Sequence, residues 1–167
     1  MRHLILIGGS GHEIETDECQ LVRRNYGIGH IVRSCWVLGA YDVETYKCFF
    51  FIIDDKWEDT LLPLILQHVR EGSTIYTDCH PSYNNLQLYG YQHVLLITVV
   101  ILLIQYQEIC KNHIESIWEN LKGKSKERYG THRTTLDLHI YGFIWRRKYG
   151  RSFSKFISHV AEEYNLN

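Results

Sequence analysis

The sequence lacks the features that mark membrane, secreted and dinucleotide-binding proteins. Its longest apolar run, residues 94–104, has eleven residues, whereas a helix that crosses a bilayer needs about 18 or more. The apolar residues 4–7 are too few for the hydrophobic region of a signal peptide. The glycines that follow do not fit G-x-G-x-x-G, because Ser10 and Glu13 occupy positions that need glycine, and no P-loop lysine is present. We therefore predict no membrane partner, and we interpret residues 1–12 as the remnant of an N-terminal connector.

Cysteine pairs are also missing. The five cysteines are an odd number and form no C-x-x-C pair, which is typical of reduced thiols in an intracellular protein. Cys110 and His113 have the i, i+3 spacing of helical metal ligands, but a zinc site needs four ligands. We therefore predict no structural zinc at this pair.

A large net charge is absent, but the charges are unevenly distributed. The formal net charge is −1 for 167 residues, of which 45% are hydrophobic and 22% charged, as in one soluble globular domain. From residue 122 onward there are ten basic and four acidic residues, against eight and fifteen before it, so the two parts carry about +6 and −7. This asymmetry favours a protein that binds a polyanion in one region and metal ions in another. A solvated basic helix surface explains the charge alone equally well.

The first half of the sequence predicts three successive strands. Short runs rich in β-branched and aromatic residues cover residues 13–20, 30–41 and 46–53, with short polar connections. Strand alternation places Asp17 and Glu18 on opposite faces of the first strand. Three strands joined in this way predict an antiparallel meander.

The second half alternates helices with strands. Apolar spacing from Trp57 to Val69 predicts a helix capped by Asp59 or Thr60, and residues 74–77 predict a strand that ends at Asp78. A short helix over residues 81–88, a buried strand from His93 into the apolar run, and helices over 108–124 and 134–149 follow. This order predicts an α/β fold with a mixed sheet flanked by helices.

Three acidic residues at separate places in the chain are candidates for a metal site. Asp78 ends a strand, where open α/β sheets place their ligands, although aspartate is also common where a strand gives way to a turn. If the first and fourth strands are neighbours, Asp17 faces Asp78, and the helix after the sheet can supply Glu115. Three converging carboxylates need cations to neutralise them, and two Mg²⁺ (or Mn²⁺) ions fit this need.

Motifs along nearly the whole chain resemble the ISXO-type DDE transposase domain, an insertion-sequence family related to animal Merlin elements. The resemblance runs from about residue 7 to residue 148. The matching residues are 7–11 with Asp17 and Glu18 (GG-x-G leading into I-D-E), 23–26 (a basic R-K-Y turn), 36–39 (W-V-F-G), 61–65 (T-L-L-P-L-I), 72–78 (G-S-x-I-x-T-D), Tyr83, Gly90, Tyr91 and His93, 112–118 (N-x-I-E-S-x-W) with Leu121 and Lys122, and 143–147 (F-x-W-R-R).

The resemblance implies an RNase H-like fold over residues 13–150. We interpret residues 151–167, which follow it, as a basic, helical tail. The resemblance also implies a catalytic and metal-binding triad of Asp17, Asp78 and Glu115, two Mg²⁺ or Mn²⁺ ions, and cleavage of transposon ends followed by strand transfer into target DNA. Phosphate contacts are expected from basic side chains. The candidate DNA-binding residues are Arg23, Arg24, Lys122, Lys124, Arg146, Arg147 and Lys148.

The sequence also departs from the family pattern. It begins just before the first catalytic strand, residues 95–104 are apolar where the family is polar, and Gly142 replaces an acid. We therefore expect a truncated transposable-element copy that acts on DNA inside the cell, in the nucleus if the source is eukaryotic, with self-association left open. The alternatives are an inactive DNA-binding relic of a transposase and an RNase H-like nuclease of different purpose.

Overall fold

A central sheet is built from the strands whose β-branched and aromatic residues favour an extended chain. The structure of the chain, a computed structural model, describes residues 5–22, 35–96, 113–127 and 133–163. The described strands are β1 (Ile7–Gly8), β2 (Glu13–Val22), β3 (Cys35–Asp42), β4 (Cys48–Ile53), β5 (Val69–Arg70), β6 (Thr74–Thr77) and β7 (Gln92–Leu95). The described α-helices are α1 (Glu58–His68), α2 (His113–Glu127), α3 (Arg133–Tyr149) and α4 (Phe153–Glu163).

The five longer strands form one sheet in the order β4-β3-β2-β6-β7. Strands β2, β3 and β4 are antiparallel neighbours, which confirms the predicted meander. Strands β6 and β7 are parallel to β2 and lie on its other side. The result is the predicted mixed sheet flanked by helices, in an RNase H-like arrangement, while β1 and β5 form a separate parallel pair.

Two buried layers cover the two faces of the sheet because successive strand residues point in opposite directions. On one face, Leu38 and Phe49 pack with Leu61 and Ile65 of α1. On the other face, the buried stripes of α2 and α3 pack against the sheet. This second layer includes Val37, Phe50, Ile114, Ile117, Trp118, Leu121, Leu136, Ile140 and Phe143.

Some local predictions were wrong. Helix α1 begins at Glu58, so Asp59 and Thr60 lie inside it. The residue at the cap position, Trp57, has an indole that cannot accept a hydrogen bond from the first turn. Trp57 is also 74% exposed rather than part of the buried stripe. The predicted helix over residues 81–88 is two 3₁₀ turns, Pro81–Tyr83 and Leu86–Tyr89, the second ended by the left-handed Gly90.

The apolar run that begins at residue 94 is not buried where the structure describes it. Val94 and Leu95 are 38% and 45% exposed, because β7 is the last strand of the described sheet. The remainder of this run, the start of the predicted helix at residue 108 and the start of the predicted strand at residue 30 lie outside the described residues. Among the described helices, none combines the length and the apolar composition that a bilayer crossing requires.

Candidate metal centre

Parallel pairing of β2 with β6 brings two of the predicted acids together. The pairs run from Glu13 beside Thr74 to Glu15 beside Tyr76. Two residues further along each strand are Asp17 and Asp78, so both carboxylates lie at the same level of the sheet. The expectation that the first and fourth predicted strands are neighbours is therefore confirmed.

The acidic group contains a third residue that sequence reasoning left out. Ligand oxygens of Asp17, Glu18 and Asp78 all lie within 4.8 Å of one another. Glu18 was omitted because strand alternation directs it away from Asp17, and the contacts of these two side chains do lie on different elements. The alternation rule describes the direction in which a side chain leaves the strand. It does not describe the final position of a carboxylate group that is two or three bonds away from the backbone.

Asp17 is oriented by α2. The indole Nε1 of Trp118 donates to Asp17 Oδ2 at 3.1 Å, and the backbone N–H of Glu18 donates to Asp17 Oδ1 at 2.8 Å. Burial raises the pKa of Asp17 above its ordinary 3.8, and the nearby charge of Asp78 raises it further, although both hydrogen bonds act in the opposite direction. The carboxylate is thus oriented by two neutral donors, and the nearby charge of Lys56 also acts to lower its pKa.

Glu18 is buried, and its partners come from the segment before α1 and from the first 3₁₀ turn. The Tyr83 hydroxyl donates to Glu18 Oε1, and Lys56 Nζ lies 3.0 Å from Glu18 Oε2. Burial raises the pKa of Glu18 from 4.5 to about 7, although Lys56 opposes this shift, and the charges of Asp78 and Asp17 add to it. The pKa of this carboxyl group is therefore raised mainly because burial removes it from water, and Lys56 offsets only part of that effect.

Glu115, the third predicted member of the triad, lies on the helix that contacts Asp17 but outside this group. It is exposed in the first turn of α2. Trp118, one turn later on the same helix, donates to Asp17, so α2 covers the face to which Asp17 points. Among the described residues, the cluster of oxygens within 4.8 Å consists of Asp17, Glu18 and Asp78. The assignment of Glu115 as a metal ligand therefore stays a prediction.

The donor set of this group fits a hard divalent cation. Carboxylate oxygens are the ligands that Mg²⁺ and Mn²⁺ prefer. Two of the three carboxyl groups have raised pKa values, so added positive charge would stabilise the ionised group. Asp17, Glu18 and Asp78 are therefore the residues that could bind a metal ion here.

A second close group, His12, Asp42 and Glu44, has a structural explanation. The buried Asp42 accepts hydrogen bonds from the backbone N–H groups of Gly8, Glu44 and Thr45 and from His12 Nδ1. Burial alone would raise the pKa of Asp42, but these hydrogen bonds outweigh it and lower the pKa from 3.8 to about 2. Its oxygens are thus engaged in closing the turn after β3.

The candidate DNA-binding residues that are described lie on α2 and α3. Lys122 is exposed, Lys124 lies over the Phe143 ring, and Lys148 lies over the Tyr149 ring. The Arg147 guanidinium lies 5.3 Å from the Tyr41 ring centre and hydrogen-bonds to that residue. Arg146 is half-buried on α3, and Arg23 and Arg24 lie outside the described residues. Trp118 is 3% exposed and Trp145 packs against Phe156, so both indole rings take part in packing.

Comparison with protein families gives one match. The family model described as the ISXO2-like transposase domain matches residues 11–147, which include both close acidic groups and most of the basic residues named above. No curated protein matches the sequence significantly.

Proposed function

The chain belongs to the ISXO2-like transposase domain family, and we propose that it cleaves DNA strands and transfers them to a target by a metal-dependent reaction at the Asp17–Glu18–Asp78 group. Family membership implies DNA as the partner and action on DNA inside the cell, but it does not indicate a nuclear location. The observation that carries the proposal is the convergence of three carboxylates within 4.8 Å inside the matched region, two from the middle of β2 and one from the residue after β6.

In this proposal the acids bind metal and the basic surface binds DNA. Asp17 and Asp78 hold one or two Mg²⁺ or Mn²⁺ ions, Glu18 adds a carboxylate on the α1 side, and Glu115 completes the triad from α2. When bound, such ions activate an attacking water or 3′-hydroxyl and stabilise the leaving oxygen of a phosphodiester. Trp118 keeps Asp17 in position, and Lys56 neutralises part of the charge on Glu18.

The basic residues are proposed to bind the DNA backbone. Lys122, Lys124, Arg146, Arg147 and Lys148 lie on helices that cover the face to which Asp17 points. Their contacts would be made to phosphates and would therefore weaken as the salt concentration rises. Arg23 and Arg24 are proposed for the same role from the sequence alone.

The direct test replaces Asp78 by asparagine, which keeps the shape of the side chain and removes its charge. We expect Asp78→Asn to lower Mg²⁺- or Mn²⁺-dependent nicking of a supercoiled plasmid by a hundredfold or more, on the order of the loss seen when one preorganised electrostatic contact is removed from an active site. The matched control is Asp59→Asn, an exposed acid in the first turn of α1, which should nick normally. Nicking that survives Asp78→Asn would remove Asp78 from the reaction.

Two observations favour the alternative of a DNA-binding relic without activity. Glu115 lies outside the close group, and Lys56 already neutralises part of the charge of Glu18. A relic would bind DNA through its basic surface but would neither bind divalent ions tightly nor nick. The dependence of thermal stability on divalent ions separates the two candidates.

A further inference from the structure

Helix α2 is attached to β2 by two carboxylates on the same face of that strand. The Glu15 carboxylate accepts hydrogen bonds from His113 Nδ1 at 2.7 Å and from the backbone N–H of Ile114 at 2.8 Å. Two residues further along the strand, Asp17 accepts the bond from Trp118. The partners of Glu15 are 98 and 99 residues away in sequence, so these contacts exist only in the folded chain.

The spacing of the two attachments matches the geometry of both elements. Two residues of a strand advance by about 6.6–6.8 Å, and the four residues from Ile114 to Trp118 advance by about 6 Å along a helix. A shift of α2 by one residue would rotate its side chains by about 100° and break both attachments. Glu15 and Asp17 therefore fix the register and the rotation of the helix together.

The Glu15 contact is buried and supported on a second side. Glu15 is 9% exposed, and its carboxylate satisfies one of the N–H groups that a first helical turn leaves open. The imidazole of His113 stacks on the ring of Tyr41, with centroids 5.1 Å apart. Tyr41 is itself buried in β3. The start of α2 is thus held by β2 and β3 at once.

We propose that Glu15 is a positioning residue, which sets α2 so that Glu115 faces the Asp17–Glu18–Asp78 group. This inference rests on the proposed function, because it assigns Glu115 to the metal site. Glu115 directly follows Ile114, whose N–H Glu15 binds, and precedes Trp118 by one turn. Loss of the Glu15 contact frees the first turn of α2 while the Trp118 contact remains. Because Glu115 lies in that first turn, its position is the one that changes.

The test compares three substitutions on one strand. Glu15→Ala removes both contacts, whereas Glu15→Gln removes the charge and keeps side-chain groups that can bond to His113 and Ile114. Glu13→Ala is the matched control, because Glu13 is an acid on the same face of β2 that bonds to Tyr76 and not to α2. The affinity for Mn²⁺ is measured from the free ion by electron paramagnetic resonance. Hydrogen exchange of residues 113–121 is measured on the same proteins.

We expect Glu15→Ala to weaken Mn²⁺ binding about tenfold or more, in the range known for groups that orient metal ligands, while Glu15→Gln and Glu13→Ala stay within about threefold. Exchange at the start of α2 should be faster in Glu15→Ala alone. In a Glu115→Gln background, Glu15→Ala should weaken Mn²⁺ binding no further, because a positioning residue acts through the residue that it positions. His113→Ala, which removes one of the two contacts, should show a smaller loss of the same kind and serves if Glu15→Ala does not fold.

Two results would overturn the inference while leaving the proposed function intact. The first is Mn²⁺ binding that weakens equally in Glu15→Gln and Glu15→Ala, since charge rather than contact would then be responsible. The second is an effect of Glu15→Ala that persists in the Glu115→Gln background. Failure of the unmodified chain to bind Mn²⁺ or nick DNA would instead refute the proposed function, and hydrogen exchange would then decide whether Glu15 positions α2 at all.

Discussion

Gly39 lies directly opposite Asp17 in the β2–β3 ladder, and its lack of a side chain makes room for Trp118. A Cβ atom at Gly39 would lie 2.6 Å from Cζ2 of Trp118 and 2.7 Å from Cε1 of Phe50. Real Cβ atoms do not approach ring carbons so closely, so both rings would have to move. The indole that bonds to Asp17 therefore occupies space that only glycine leaves open at this position.

We expect Gly39→Ala to destabilise the fold by about 1–3 kcal/mol, as overpacking of a buried site does, and to displace Trp118 from Asp17. Urea unfolding measures the first effect, and the plasmid nicking rate measures the second, which should fall. The matched control is Gly123→Ala on α2, where a Cβ meets nothing within 4 Å and helix propensity favours alanine. If Gly39→Ala retains the stability and nicking rate of the unmodified chain, the close packing inferred for Trp118 is wrong.

At the scale of elements, the turn between β3 and β4 depends on one ionised side chain. The lowered pKa of Asp42 means that this carboxylate stabilises the fold above pH 3.8, and that the stabilisation is lost as pH falls towards 2. A shift from 3.8 to about 2 corresponds to roughly 2 kcal/mol at neutral pH, of which about half is lost by pH 3.

We expect Asp42→Asn to reduce the free energy of unfolding at pH 6 by roughly 2 kcal/mol and to reduce it by clearly less at pH 3. Urea unfolding at both pH values measures the difference between the variant and the unmodified chain. Glu44→Gln, which changes an exposed acid in the same turn, controls for a general effect of charge. A difference that is equal at pH 3 and pH 6 would show that the ionisation of Asp42 does not stabilise the turn.

At the scale of the whole molecule, binding of divalent ions to the carboxylate group should stabilise the folded state. A ligand present at 100 times its Kd adds about 2.7 kcal/mol, which corresponds to a Tm increase of roughly 5–10 °C for a chain of this size. We expect saturating Mn²⁺ to produce such an increase, measured by thermal unfolding, and Asp17→Asn combined with Asp78→Asn to abolish it. An unmodified chain whose Tm does not respond to Mn²⁺ or Mg²⁺ would favour the relic over the transposase.

Local chemistry explains which parts of this fold can be predicted from sequence. Apolar residues at intervals of two or of three to four indicate strands and helices directly, and the meander, α1 and α3 follow from them. The two 3₁₀ turns after Pro81 cannot be distinguished from one short α-helix by the same pattern, because both place apolar residues three apart. The exposure of Val94 and Leu95 depends on the order of strands in the sheet, which apolar composition does not encode.

The sequence by itself determined the family and the α/β class of the fold and identified Asp17 and Asp78 as candidates, because these follow from ordered motifs and from the periodicity of apolar residues. The pairing of β2 with β6, which brings the two acids together, was decided by the tertiary structure. Only the tertiary structure decided that Glu18 joins those two acids and that Glu15 and Asp17 both bind α2. The reason is that these contacts join side chains whose positions depend on register between elements up to 101 residues apart. Periodicity specifies the face of each element, whereas only packing specifies which atoms meet across it.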